Sequence, residues 1–342
     1  MTNRNDSLLA RTALRSWYSH HARDLPWRLS PSLYGTWLSE IILQQTQVET
    51  GIPKWHLFIQ HFPTVGHVAR ASEDQVLKAW EGLGYYRRAR HLHQAARSID
   101  AAGEFPKSYA AWLKLPGVGP YTAAAIASIG LGEAVAAVDG NVQRVVARWA
   151  GITDPVNAKI GAQEVQEVAD AWLDHDAPGN HNQAVMELGA LVCLPRNPFC
   201  NRCPLSTNCA SVNQPDMWGI LPTKKPKKKV QRWNLTWHIA RYENYIVAIQ
   251  RPKSGVWAKL WTFPESPPSV NFHPRGELMK PVTHLLTHRR IEAKFQGWKA
   301  PNKAAIKAYA SAVGGEVLTR DELEKLAMPR LITKIFSQLF FD

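Results

Sequence analysis

Residues 219–232 read Gly-Ile-Leu-Pro-Thr-Lys-Lys-Pro-Lys-Lys-Lys-Val-Gln-Arg. Six positive side chains and two prolines, with no acid, predict an extended tether, because like charges repel and proline interrupts regular elements. A single core does not run through such a segment. The chain is therefore expected to fold as two bodies, residues 1–218 and 233–342. Their patterns differ. Before the tether, apolar residues recur at helical spacing, as in Val76-Leu77-Trp80 and Val142-Val145-Val146-Trp149. After it, residues 235–239 and 245–249 read as short strands separated by Arg241, Glu243 and Asn244. Helical spacing returns near 303–313 and 331–341. The expected class is multidomain, an all-α region followed by an α+β region.

The 342 residues, 45% of them hydrophobic, supply cores for both bodies and exclude a disordered chain. The most apolar stretch, residues 123–138, is interrupted by Glu133 and falls short of the ~18 residues a membrane helix needs. Arg11 and Arg15 precede no long apolar block, so no secretory leader is read. The expectation is a soluble, cytoplasmic protein with no membrane partner. The net charge of +13 points to a polyanion, most often nucleic acid. It is unevenly spread. Residues 1–218 balance 19 basic against 19 acidic side chains, whereas 233–342 hold 16 against 9. Removing 219–342 is thus expected to lower the salt dependence of binding more than the chemical step.

All four cysteines, Cys193, Cys200, Cys203 and Cys209, fall within 17 residues as C-x6-C-x2-C-x5-C. Four thiols that close, with no secretory leader, predict a metal site rather than disulfides. Zinc and a [4Fe–4S] cluster both use four thiolates. Only one tight hook is present, which leans toward a cluster wrapped by one loop.

Residues 113–124 read Leu-Lys-Leu-Pro-Gly-Val-Gly-Pro-Tyr-Thr-Ala-Ala. Gly117 and Gly119 permit a tight turn, and Pro120 suits a first helical turn. Main-chain N–H groups of Gly117, Val118 and Gly119 at such a helix start are expected to hold a phosphate. This resembles the helix–hairpin–helix signature. Asp139 follows twenty residues after Gly119, in Val-Asp-Gly-Asn-Val. That pairing resembles the helix–hairpin–helix DNA glycosylase superfamily. Its bifunctional members place a lysine just after the hairpin glycines to attack the sugar. Here Pro120 and Tyr121 stand there, so carboxylate-assisted hydrolysis is expected instead of a lyase step. The second carboxylate is Glu40, in Trp-Leu-Ser-Glu-Ile-Ile-Leu-Gln-Gln-Thr-Gln-Val. A helix over 34–48 would put Trp37, Glu40, Gln44 and Gln47 on one face.

Together with Leu-Pro-Trp-Arg (25–28), Gly-Leu-Gly-Tyr-Tyr (82–86) and Asn-Gln-Ala-Val-Met-Glu-Leu-Gly-Ala (182–190), these segments resemble adenine DNA glycosylases of the MutY type over the whole chain. The resemblance implies an all-α helix–hairpin–helix domain with a cluster loop (193–209), a basic linker (219–232) and an α+β Nudix-like domain (233–342). It implies one [4Fe–4S] cluster on the four cysteines. It also implies a monofunctional enzyme, acting as a monomer on double-stranded DNA, that extrudes adenine mispaired with 8-oxoguanine or guanine.

By the same resemblance, Glu40 protonates the base and later activates water. Asp139 stabilises the oxocarbenium-like sugar, through charge or a transient covalent bond. Tyr121 positions both, with Asn141 behind Asp139. Trp27, Arg28 and Gln183 hold adenine, while Gln45 and Tyr85 fill the gap beside the opposite base. Arg87, Arg88 and Arg90 are expected on phosphates. Residues 251–264 carry the Nudix likeness, but no glutamate-rich metal helix follows Glu265, so pyrophosphatase activity is not expected. Leu286, Thr287 and His288 stand where the family has a Phe-Ser-His lesion contact; Thr287 keeps the hydroxyl and His288 matches. The competing readings are an endonuclease III-like glycosylase/lyase on oxidised pyrimidines and a redox-sensing DNA-binding protein without glycosylase activity. Tyr121 argues against the first, and intact Glu40 and Asp139 against the second.

Overall fold

Ser32 accepts a hydrogen bond from the Gly35 amide and starts a helix, Leu33–Leu43, whose Trp37, Leu38, Ile41 and Ile42 are buried. It belongs to a helical unit formed by Met1–Ala69 with Gln94–Pro226. The protein is seen in a computed structural model that describes residues 4–212, 214–226, 230–269, 271–286 and 289–340. At the centre of this unit runs Pro120–Leu131, with Pro120 in its first turn and Gly132 (φ 71°) ending it. Its Ala123, Ala124, Ala125 and Ala127 are buried. Small side chains let Leu33–Leu43 and Pro178–Leu191 both pack against it. A separate core forms where Val142, Val145, Val146 and Trp149 of Gly140–Ala150 meet Trp172 and Leu188. The helical periodicity of the sequence is borne out here.

The second unit combines Arg70–His93 with Lys227–Asp342. Its described strands are β1 (Gln231–Tyr242), β2 (Tyr245–Gln250), β3 (Trp261–Thr262), β4 (His273–Glu277), β5 (Val282–Leu285), β6 (Arg289–Lys299) and β7 (Glu316–Thr319). The sheet runs β3-β2-β1-β6-β4, with β5 also on β6 and β7 on β2. β1 and β6 pair in parallel from Gln231↔Arg289 to Arg241↔Lys299. Successive side chains face opposite sides. Leu235, Trp237, Ile291 and Phe295 meet Leu323, Met328 and Ile332 on one face. On the other, Ala240 and Val247 meet Ile306 and Tyr309 of the helix Lys303–Ala312.

Three elements differ from expectation. Sheet pairing extends β1 into residues 231 and 232, which the charge pattern assigned to the tether. Residues 221–225 are extended but held on the helical unit: Arg148 Nε donates to Leu221 O (2.9 Å), Thr223 Oγ1 to Thr153 O (2.6 Å) and Asn157 Nδ2 to Lys225 O (3.2 Å). Near the C-terminus, the expected helix is a single turn, Arg330–Thr333, followed by a 3-10 turn, Phe336–Phe340.

Candidate active site and cysteine loop

A cleft of about 1290 Å³ opens in the helical unit, and Trp27, Arg28, Glu40, Gln45, Tyr121, Asp139, Asn141 and Gln183 all line it. These are sequence-expected site residues drawn together from five separate segments. The expected 34–48 helix, however, stops at Leu43. Gln45 takes a left-handed backbone (φ 59°), which a helix cannot continue through. Gln44 instead donates from Nε2 to Thr122 Oγ1 (3.1 Å). The glutamines therefore form an edge loop of the cleft, with Gln45 exposed, and not a helix stripe.

Glu40 accepts a 2.7 Å hydrogen bond from the Tyr121 hydroxyl. Loss of hydration pushes its carboxyl up to about 7; the Tyr121 bond and the Arg28 charge pull down, and the Asp139 charge pushes up. Burial and the neighbouring carboxylates hold the Tyr121 hydroxyl well above its ordinary range, so it stays a proton donor. Asp139 is the N-cap of Gly140–Ala150. Its Oδ1 accepts from the Asn141 and Val142 amides (2.9 and 2.7 Å), and Oδ2 from Asn141 Nδ2 (2.9 Å). Burial raises Asp139, while these bonds and the Arg144 charge oppose the shift.

Behind Asn141 stands Arg144, a residue the sequence reading did not single out. Its Nη2 donates to Asn141 Oδ1 (2.9 Å) and Gly189 O (2.8 Å), and its Nε to Cys193 O (2.7 Å). Asp139 and the cysteine loop thus share one chain of hydrogen bonds. Gly189 makes the close approach possible: a Cβ there would lie 2.6 Å from Asn141 Cβ.

The opposite wall is a second network. Arg28 donates from Nε to Gln183 Oε1 (2.9 Å) and from Nη2 to Glu187 Oε2 (3.1 Å), with its guanidinium 5.6 Å from the Tyr18 ring centre. Arg23 grips Glu187 through its Nε and Nη2 (2.8 and 3.0 Å) and its amide (2.9 Å). Glu187 is 1% exposed. Burial alone would raise its carboxyl, but the Arg23 and Arg28 bonds hold it below the ordinary range. Glu187, Arg23 and Tyr18 were missed. The signal for Glu187 lay inside the quoted segment 182–190, and Arg23 stands two residues before Leu-Pro-Trp-Arg.

Cys193, Cys200, Cys203 and Cys209 surround one small cavity with Val192, Pro198 and Val212. Arg148 is buried beside it. Its guanidinium donates to Leu194 O (2.6 Å) and Pro195 O (3.1 Å) and lies 3.5 Å from Cys193 Sγ. Burial pushes the Cys203 thiol up to about 12. Burial also raises the Cys200 and Cys209 thiols, so the loop suits a cationic occupant that favours their ionised form. Among the described residues, no three His, Cys, Asp or Glu side chains converge closely enough for one metal ion.

In the hairpin, Gly117 has φ 78°, and Gly119 caps Pro120–Leu131. The Val118 amide is used internally, on Leu115 O (3.2 Å). Tyr85 lies in the other unit. It is 47% exposed and left-handed (φ 47°) between Gly84 and Tyr86. Of the three arginines expected on phosphates, two are committed inward. Arg88 stacks on Trp80 and Tyr85 (5.2 and 5.8 Å) and donates to Leu83 O (3.0 Å), and Arg90 donates to Ala258 O (2.6 Å). Leu286 packs on the sheet core; Thr287 and His288 lie outside the described residues. Among the described residues, no helix is long and apolar enough to cross a membrane.

Residues 38–171 match the model of the HhH-GPD superfamily base excision DNA repair protein, and 236–338 match the NUDIX domain. The adenine DNA glycosylase of Buchnera aphidicola subsp. Baizongia pistaciae (strain Bp) is 38% identical over 253 residues, 73% of this chain and 72% of that protein. The Homo sapiens adenine DNA glycosylase is 31% identical over 408 residues, 95% and 73%. Among solved structures, a thermostable thymine-DNA glycosylase is similar with TM-score 0.56 and 26% identity, over 61% of this chain and 97% of that one. A trapped endonuclease III–DNA covalent intermediate is similar in fold, with TM-score 0.54 and 18% identity over 63% and 100%.

Proposed function

The chain belongs to the adenine DNA glycosylase family, and from that premise we propose that it releases adenine mispaired with 8-oxoguanine or guanine in duplex DNA. The observation that carries the mechanism is the Tyr121–Glu40 hydrogen bond in a cleft that also holds Asp139. A carboxyl with a pKa of about 7 is available as an acid near neutral pH. Glu40 gives its proton to the ring nitrogen N7 of the extruded adenine. The C1′–N9 bond then breaks, and its electron pair leaves with the base. Asp139, held by bonds that all favour its ionised form, stabilises the positive sugar. Glu40, now ionised, takes a proton from water as the water oxygen bonds to C1′. The products are free adenine and an abasic site. Pro120 and Tyr121 occupy the positions where an attacking lysine would stand, so strand cleavage is not part of the reaction.

Trp27 supplies a flat apolar surface, and Arg28, held by Glu187, and Gln183, held by Arg28, supply donors and acceptors of fixed direction for the adenine edge. Gln45 and Tyr85, with Thr287 and His288, are assigned to the base opposite adenine. The Gly117, Val118 and Gly119 hairpin is assigned to a phosphate, with the Val118 amide in a supporting role. The enzyme acts as a monomer in base excision repair.

The four cysteines suit one [4Fe–4S] cluster. Their spacing has a single tight C-x2-C hook, and all four line one small cavity, which suits a cluster wrapped by one loop. Buried Arg148 offsets negative charge there. Cys193, Cys200, Cys203 and Cys209 would hold such a cluster, which would tie the loop 193–209 together; hydrolysis of an N-glycosidic bond needs no electron transfer. Iron and acid-labile sulfide in a brown protein would support this assignment, and stoichiometric zinc would refute it. The substrate is tested with adenine opposite 8-oxoguanine, guanine or thymine in duplex DNA, followed by alkali cleavage. Excision opposite 8-oxoguanine and guanine but not thymine is expected. No excision, equal activity of Glu40→Gln, or efficient borohydride trapping would overturn the reading.

A further inference from the structure

The excursion Arg70–His93 packs with the C-terminal unit although it lies mid-chain between segments of the helical unit. Specific bonds account for this. The Tyr86 hydroxyl, on a side chain 6% exposed, donates to Met328 O (3.0 Å). Lys78 Nζ donates to Glu324 O (2.6 Å) and Leu326 O (3.3 Å). Arg90 donates to Ala258 O (2.6 Å), and Lys259 pairs with Glu73 (2.9 Å). Tyr85 stands next to Tyr86 and five residues before Arg90. It is the one large aromatic side chain of this excursion among the exposed hydrophobic residues.

The partner loop is itself unusual. Trp257 and Lys259, flanking Ala258, both have left-handed backbones (φ 57° and 60°). Such strain in non-glycine residues persists only where surroundings impose it. Trp257 packs on Trp233, Trp237 and His284 (centroids 6.0, 5.7 and 6.0 Å). His284 lies in β5, two residues before Leu286, where the segment assigned to the opposite base begins. A continuous set of contacts therefore runs from β5 through Trp257 and Ala258 to Arg90 and the start of the helix behind Tyr85.

We propose that Arg90 is a positioning residue that ties the presentation of Tyr85 to engagement of the opposite base by the C-terminal unit. The proposal rests on the opposite-base assignment above. Packed contacts alone do not establish coupling, so the test is a double-mutant cycle. The full-length protein is bound to duplexes carrying a non-hydrolysable adenine analogue opposite 8-oxoguanine or guanine, and the ratio of the two Kd values is read. Wild type, Tyr85→Leu, Arg90→Ala, Arg90→Lys and the Tyr85→Leu/Arg90→Ala pair are compared.

Arg90→Ala is expected to reduce the 8-oxoguanine preference about tenfold. Arg90→Lys, still able to reach the Ala258 carbonyl, retains most of it. The double variant loses no more than Tyr85→Leu alone. Tyr86→Phe, which keeps the ring but not the bond to Met328, lowers the ratio in the same direction if Arg90→Ala fails to fold. A preference unaffected by Tyr85→Leu would refute the opposite-base assignment and this coupling with it. A preference lost in Tyr85→Leu but kept in Arg90→Ala and Tyr86→Phe, or losses that multiply in the pair, would refute the coupling alone.

Discussion

Two of the glutamates that line the cleft, Glu40 and Glu187, are driven in opposite directions. Glu40 meets a tyrosine hydroxyl and little water, and its carboxyl rises to about 7. Glu187 is 1% exposed, but two arginines grip both its oxygens and hold its carboxyl below the ordinary range. Burial is common to both; the partner decides the charge. In the proposed reaction, one end of the cleft supplies the proton and the other a charged frame for the base.

The largest effect expected from breaking this contrast is at Glu40. Glu40→Gln removes the transferable proton, and single-turnover excision should fall roughly a thousandfold or more. The same substitution should help the fold at high pH. A carboxyl whose folded pKa is raised contributes stability below its unfolded pKa and loses it as pH rises through about 7. Glu40→Gln should then be more stable than wild type at pH 8, by about 3 kcal/mol at most, with little difference at pH 4. Thermal melting at the two pH values checks the sign. Asp139→Asn keeps an N-cap acceptor but loses the charge and sets its NH2 against that of Asn141, so excision should fall on the order of a hundredfold with melting lowered by a few degrees at most. Glu187→Gln should do the reverse. It leaves Arg23 and Arg28 without a counter-charge, costs about 2–3 kcal/mol of stability, and raises KM more than it lowers kcat. The smallest effect is expected from Tyr121→Phe, a fall of about tenfold or less near pH 7.

Much of the cleft was legible because its side chains sit at chemically marked places. Asp139 precedes Gly-Asn-Val at a helix start, and Tyr121 follows a Gly-x-Gly-Pro turn. Arg28, Gln183 and Asn141 came with their motifs, and all line the cleft. What stayed hidden depends on long-range partners. Glu187 takes its role from arginines more than 150 positions away. Arg144 takes its role from the Cys193 carbonyl, 49 positions on. The glutamine loop was misread because Gln44 to Gln47 continue an acceptable helical pattern, and only the left-handed Gln45 breaks it. In the C-terminal unit, β6 was overlooked although Ile291, Ala293 and Phe295 alternate with polar residues as a half-buried strand should. The packing of Arg70–His93 with that unit has no local signal at all. Its anchors are backbone carbonyls at Ala258, Glu324, Leu326 and Met328, which sequence does not distinguish.

The central claim is that Glu40 is the acid, its proton affinity raised by burial and tempered by the Tyr121 hydrogen bond. The most direct test is the pH dependence of single-turnover excision for wild type and Tyr121→Phe on a duplex with adenine opposite 8-oxoguanine. The Tyr121 bond favours the ionised carboxylate, so its loss raises the pKa further. Wild type should lose activity as pH rises through about 7, and the falling limb should move to higher pH in Tyr121→Phe. A wild-type rate flat across that range, or a limb that moves to lower pH in the variant, would contradict the account.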